Sequence, residues 1–258
     1  MNLLVFAGTT EGTDFIEKAA CAQHRVTASV ATEYGADILH AALGTLFAEK
    51  NAVTILKGRM DTNEIVQIAA AFDAIIDATH PYAACVSKNI RLVGCTAGIP
   101  CYRLVRPMVS FPYKKLREFK TVAELVNALQ NTTGRIFVST GSRDIEQFTS
   151  LPQYTERIFV RVLPSIDSLE KCRAMGIPPD HIIAMQGAFS VALNKALFTE
   201  YDCRILVTKE SGAAGGFTEK MTAAQDLNMD VYALQPPQEH YEQVFFSAES
   251  LLRQLGDK

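Results

Sequence analysis

The stretch Ile75-Ile76-Asp77-Ala78-Thr79-His80-Pro81-Tyr82-Ala83-Ala84 decides how this chain is read. It begins as an apolar strand and runs out into an acid, a hydroxyl, an imidazole and a phenol within six positions. It then restarts at Pro81, a residue that can open a helix, with Ser87, Lys88 and Asn89 following. In an open α/β sheet, ligands bind outside the carboxyl ends of the strands. A strand that ends this way marks a fold class and a place to look for chemistry.

Similar apolar runs recur on both sides of it. One set covers residues 3–7, 26–31, 53–56, 74–78 and 101–105; a second covers 135–139, 158–163, 182–185, 204–208 and 230–234. Most are separated by segments of helical length with apolar residues at threes and fours, such as Ile65, Ile68, Ala69 and Phe72, or Val122, Leu125, Val126 and Leu129. This alternation predicts an α/β protein with parallel sheets covered on both faces. Two series of five strands predict two Rossmann-like, doubly wound domains. The expected boundaries are 1–107 and 121–258, with 108–120 as a connecting segment where proline, charge and aromatic residues replace the alternation. The halves share a plan and no evident sequence.

In such a sheet the first and fourth strands flank the point where strand order reverses. Four polar loops fall at those positions: Gly8-Thr9-Thr10-Glu11-Gly12 and residues 77–82 in the first half, Ser139-Thr140-Gly141-Ser142-Arg143 and residues 209–216 in the second. A ligand cleft between the domains is expected to hold them all.

Composition limits the readings. With 258 residues, 48% hydrophobic and 21% charged, the chain can bury one large or two modest cores and shows no bias toward disorder. No apolar run approaches the roughly 20 residues that span a bilayer. The apolar start is too short for a signal segment, lacks a basic flank and leads into a glycine turn, so a cytoplasmic protein is expected. The six cysteines form no C-x-x-C pair and read as buried reduced thiols, with no metal site. A formal net charge of -3 gives no support to a nucleic-acid partner. A polyanionic small molecule still fits if Arg and Lys gather at one cleft.

Each loop has a chemical and a plain structural reading. The turn from Gly8 to Gly12 offers small residues, hydroxyls and a helix N-terminus whose N–H groups favour phosphate, without being a G-x-G-x-x-G fingerprint. The plain alternative is a turn capped by Thr9 or Thr10 with Glu11 in the first helical turn. Arg143 can form a fork with carboxylate or phosphate, or simply be solvated. The segment Lys209-Glu210-Ser211-Gly212-Ala213-Ala214-Gly215-Gly216 holds three glycines, costly to order, and reads as a loop that closes over a ligand. Lys209 and Lys220 bracket it. His80, Thr79 and Tyr82 are either ligand contacts or satisfied hydrogen-bonding groups, and Asp77 is able to accept N–H bonds at its strand end. No Ser-His-Asp or Cys-His spacing stands out.

Together with Gly98-Ile99-Pro100-Cys101-Tyr102-Arg103-Leu104-Val105-Arg106-Pro107 and Ile183-Ala184-Met185-Gln186-Gly187-Ala188-Phe189-Ser190, these loops resemble the precorrin-6A reductase family of cobalamin biosynthesis over nearly the whole chain. Thr13 departs from the arginine usual at that place in the family. The resemblance implies an oxidoreductase acting on a CH–CH bond. It would reduce one ring double bond of precorrin-6A, or of its cobalt complex, to the 6B form with NADPH or NADH, the broader family favouring NADPH. It also implies that the two sheets exchange their last strands.

On this reading the coenzyme goes to Gly8, Thr9, Thr10, Glu11, Gly12, Thr79 and His80. The carboxylates of the anionic tetrapyrrole go to Arg143, Arg161, Lys209, Ser211, Gly212 and Lys220. The reverse division stays open. Glu33, Thr32 and Tyr34 lie near the expected ribose position. His80 and Tyr82 are the catalytic candidates, and the proton that accompanies the hydride can come from a side chain, a substrate carboxyl or water. Transient contact with neighbouring pathway enzymes is expected; a membrane partner is not. Two other readings remain: a reductase of another small metabolite, and a non-catalytic nucleotide-binding module.

Overall fold

The computed structural model describes residues 1–50, 52–107, 110–210, 212, 215–237 and 241–256, with the side chains of residues 45–50 set aside. The chain divides into two compact units, Met1–Pro107 with Pro237–Lys258, and Met108–Pro236.

The first unit runs β1 (Asn2–Ala7), α1 (Thr10–Cys21), β2 (Arg25–Val30), α2 (Glu33–Lys50), β3 (Val53–Lys57), α3 (Thr62–Ala69), β4 (Ala74–Ala78), α4 (Ala84–Ala97) and β5 (Cys101–Leu104). The second runs β6 (Leu116–Phe119), α5 (Val122–Leu129), β7 (Arg135–Val138), α6 (Ile145–Phe148), α7 (Tyr154–Arg157), β8 (Ile158–Val162), α8 (Ile166–Ala174), β9 (Ile182–Ala184), α9 (Val191–Glu200), β10 (Cys203–Lys209), α10 (Phe217–Asp226) and β11 (Asp230–Leu234). The chain then returns to the first unit as β12 (Val244–Phe245) and α11 (Ala248–Gly256).

The sheets are parallel throughout, in the orders β12-β5-β4-β1-β2-β3 and β6-β11-β10-β7-β8-β9. Strand order reverses between β1 and β4 in one and between β7 and β10 in the other, where the sequence pattern puts the reversals. Both faces are covered, which is why β4 reads as an unbroken apolar run: every residue in it is buried. Leu3, Val5, Ala28 and Ile76 pack on one face with Phe15, Ile16, Leu251 and Leu255. Leu4, Phe6 and Ile75 pack on the other with Ile65, Ile90 and Val93. Each fully buried side chain of this size contributes about 1.5–3 kcal/mol.

Two expected boundaries change. The last part of the chain was expected in the second domain, but residues 241–256 pack with the first: Val244 and Phe245 pair with Arg103 and Leu104, and Leu251 and Leu255 of α11 sit in the first core. The expected connecting segment contains β6, which pairs with β11 in the second sheet. The first sheet thus takes its edge strand β12 from chain that follows the whole second unit, whereas the six strands of the second sheet, β6 to β11, are consecutive in the chain.

The helix expected from Pro81 begins at Ala84 instead. Pro81 occupies a turn closed by the Ala83 N–H on the His80 carbonyl at 2.8 Å, and its fixed φ suits that place equally well. The cysteines also differ from expectation. All six are free, but Cys21, Cys85 and Cys95 are exposed and only Cys172 and Cys203 are buried. Burial pushes the Cys203 and half-buried Cys101 thiols up to about 12, so neither is a nucleophile at neutral pH. Among the described residues no helix is long and apolar enough to cross a membrane.

Candidate functional site

At the first reversal point the chain leaves β1 through an exposed Gly8 and enters α1 at Thr9. The Thr9 hydroxyl accepts the Gly12 N–H at 3.1 Å and donates to the Ala78 carbonyl at 3.0 Å, tying the turn to the end of β4. Thr9 is therefore a cap whose hydroxyl is already committed. Gly12 is needed for close packing, since a Cβ there would stand 3.0 Å from Ala78 Cβ and 3.3 Å from its carbonyl oxygen. A Cβ on Gly8 would lie 3.7 Å from His80 N and 3.8 Å from Thr79 Cα, so the glycine turn runs directly beside the loop after β4. Helix geometry leaves the N–H groups of Thr10 and Glu11 without intrahelical acceptors. The Glu11 carboxylate is held by Arg106 Nη2 at 2.9 Å.

Beside this turn lies a buried polar network. Asp77 is fully buried. Its Oδ1 accepts the Thr79 N–H at 2.9 Å, the Thr79 hydroxyl at 2.6 Å and Arg103 Nη1 at 2.8 Å. Its Oδ2 lies 2.6 Å from the Tyr241 hydroxyl. Arg103 Nη1 also reaches the carbonyls of Asp77 and Thr79, each at 3.1 Å. The Thr79 hydroxyl is thus committed to Asp77, and what Thr79 can still offer a ligand is backbone. His80 Nδ1 accepts the Tyr82 N–H at 3.3 Å, which puts the proton of a neutral imidazole on Nε2. The His80 and Tyr82 rings are 5.7 Å apart, and α4 begins without a side-chain cap.

At the second reversal point the Ser139 hydroxyl donates to the Val207 carbonyl at 2.9 Å. Gly141 takes a positive φ of 83° and Arg143 is exposed. Lys209 pairs with Asp144 at 3.3 Å; burial lowers its ammonium from the ordinary range, Asp144 opposes that, and Arg143 adds to it. Lys220 is buried in the first turn of α10, whose cap Gly216 has φ +68°. Burial pushes its ammonium down to about 7, with Arg161 acting in the same direction and Glu219 against it. Burial also brings Arg161 down to about 10. That guanidinium bonds Asn194 Oδ1 at 2.9 Å and lies over the Phe189 ring at 4.6 Å. Neither Lys220 nor Arg161 makes an ion pair among the described residues. Two buried atoms of this unit, Thr140 Oγ1 and Glu219 Oε2, have no hydrogen-bond partner among the described residues. Gly212 has φ +69°; Ser211 lies outside the described residues.

Among the expected cations, Arg143 lies near enough to Lys209, and Arg161 to Lys220, for like-charge repulsion to add to the lowering that burial causes. Sequence reasoning assigned no role to Arg103, Arg106, Asn194, Phe189 or Tyr241. Arg103 had a signal: it and Asp77 are opposite charges near the ends of consecutive strands, and they are register partners. Tyr241 had none, because its contact spans the chain. Surface concavities of about 500 and 640 Å³, lined in part by Gly134 and Arg135 and by Asn2 and Arg25, lie at the amino ends of the strands, away from these loops. No group of three or more His, Cys, Asp or Glu among the described residues is placed to hold a metal.

Two doubly wound sheets, each with its polar loops at the point of reversal, define an α/β protein built from Rossmann-like units. The chain belongs to the family described as Precorrin-6x reductase CbiJ/CobK, whose model matches residues 2–256, and is an oxidoreductase. The cobalt-precorrin-6A reductase of Priestia megaterium is 31% identical over 257 residues, covering 98% of this chain and 97% of that one. That of Methanothermobacter thermautotrophicus is 35% identical over 249 residues, covering 94% and 78%. A solved structure described as CobK precorrin-6A reductase shares the fold with a TM-score of 0.77 at 20% identity, covering 100% of this chain and 97% of its own.

Proposed function

We propose that this chain reduces one ring double bond of cobalt-precorrin-6A, or of metal-free precorrin-6A, to the 6B form with a reduced nicotinamide coenzyme. The coenzyme belongs to the first unit and the macrocycle to the second. The observation that carries this division is the state of the charges. In the first unit Asp77 and Glu11 are already matched by Arg103 and Arg106, leaving a glycine turn and helix N-termini. In the second, Lys220 is buried and Arg161 half-buried, neither with an ion-pair partner among the described residues, which suits a ligand rich in carboxylates. The names of the relatives favour the cobalt-containing substrate.

The first unit fits a dinucleotide. Gly12 allows α1 to approach β4, Gly8 keeps the turn open beside Thr79 and His80, and the N–H groups at the start of α1 face where phosphate is stabilised. When bound, the coenzyme supplies the hydride. Thr9 and Asp77 hold the two flanking loops, and His80, with its Nε2 proton, and Tyr82 are the side chains of this loop able to orient or donate. NADPH is favoured, with Lys57, which reaches Glu33 at the start of α2 at 2.9 Å, as the cation for the 2'-phosphate. The same reading places the protein in the cytoplasm, where its free cysteines stay reduced, in transient contact with neighbouring pathway enzymes.

The division is tested by a pair of variants under calorimetry. Gly8→Val should weaken coenzyme binding at least tenfold and spare the tetrapyrrole. Lys209→Ala should cost about 1.5–3 kcal/mol of tetrapyrrole binding, tenfold or more, and spare the coenzyme. The opposite pattern would reverse the assignment.

A further inference from the structure

Tyr241 reaches the first reversal point from the returning C-terminal segment, and we infer that it is a positioning residue for the loop that carries Thr79, His80 and Tyr82. Its hydroxyl lies 2.6 Å from Asp77 Oδ2, at the end of β4, and 3.1 Å from the Ser87 carbonyl, in the first turn of α4. Asp77 and Ser87 bracket the loop, so one side chain spans both of its ends. A second bridge supports the same span, with Thr79 Oγ1 3.3 Å from Ser87 Oγ. The Tyr241 ring is held beneath Arg91, whose guanidinium carbon is 5.4 Å from the ring centroid. The backbone that follows is fixed by the pairing of Val244 with Arg103.

The carboxylate transmits this contact to the loop. Asp77 Oδ1 orders Thr79 through its N–H and hydroxyl only while the carboxylate keeps its orientation, and Oδ2 is pinned by Tyr241. Without the hydroxyl, a buried carboxylate oxygen loses its donor and the group is free to rotate in search of another. Thr79 and His80 would follow, and they are the atoms that a Cβ on Gly8 would touch. The exchanged segment therefore does more than supply an edge strand. The site in the first unit is incomplete until residue 241 is in place.

This inference rests on the coenzyme lying at the first unit, and the test separates the two. In Tyr241→Phe the ring over Arg91 remains and the hydroxyl is lost. The coenzyme Kd and KM should rise about tenfold, with the tetrapyrrole Kd within twofold of the parent. Gly8→Val is measured in parallel. If Gly8→Val weakens coenzyme binding and Tyr241→Phe lowers only the melting temperature, the positioning role is refuted and the coenzyme site stands. If neither variant changes coenzyme affinity, both are refuted. A measurement that needs no variant is hydrogen exchange of the full chain with and without coenzyme. Protection of residues 79–83 together with the segment around Tyr241 supports the inference; protection of only one of them, or of neither, overturns it.

Discussion

Replacing Lys220 with methionine should make this protein more stable and less able to bind its substrate. Lys220 is 6% exposed, and its ammonium loses its proton at about 7 in place of the ordinary 10.5 because burial strips it of water. A lysine shifted downward on folding opposes folding in full below the folded value, and the opposition fades as pH rises toward the unfolded value. At pH 7 and below, the cost is on the order of 5 kcal/mol; near pH 10.5 it vanishes. Methionine has a similar length, no charge, and the flexibility to fill the same space. Lys220→Met should therefore raise the urea midpoint most at about pH 6.5, with a gain that shrinks steadily between pH 7 and pH 10. The chain has no tryptophan, so the transition is followed by circular dichroism. Hydrogen exchange of the β10 and β11 amides reports the second unit separately, since a chain of two units need not unfold in one step. Tetrapyrrole affinity should fall at least tenfold in the same variant, the trade expected where a buried charge is kept for function. A variant less stable at pH 6.5, or a gain independent of pH, would refute the reasoning about burial. Unchanged tetrapyrrole affinity would refute the role.

Two further outcomes are expected. Asp77→Asn removes the buried charge on which Arg103 and the Thr79 and Tyr241 donors converge and should destabilise the first unit by about 3–5 kcal/mol, read as a lower urea midpoint, while a change under 1 kcal/mol would mean the pair carries little. Lys57→Ala should lower the ratio of kcat/KM for NADPH over NADH at least fivefold, about 1 kcal/mol, and an unchanged ratio would move the 2'-phosphate contact elsewhere.

The architecture was legible because parallel strands covered on both faces must be apolar along their length. Runs such as Leu3-Leu4-Val5-Phe6 and Ala74-Ile75-Ile76 stand out against the helices between them. The edge strands obey no such rule. Leu116-Arg117-Glu118-Phe119 is half polar and partly exposed, and Val244-Phe245 is two residues long, so neither could be told from a linker. At the site, backbone requirements were readable and side-chain commitments were not. Gly12 was singled out and proves necessary for packing, whereas the hydroxyls of Thr9 and Thr79 turn out to serve Ala78 and Asp77. Those partners are neighbours only after the sheet has formed. The same holds for Arg106 with Glu11, and most of all for Tyr241 with Asp77 across the length of the chain. Lys220 was read as a cation for substrate carboxylates at the edge of the glycine loop, and nothing in the sequence showed that it is buried.

The most direct test of the central claim is anaerobic turnover by the purified chain, with cobalt-precorrin-6A and precorrin-6A each offered with NADPH and with NADH. Oxidation of coenzyme in step with formation of the 6B product, one for one, with the cobalt complex and NADPH the better pair, is the predicted result. Tight coenzyme binding with no oxidation in the presence of either tetrapyrrole would contradict it.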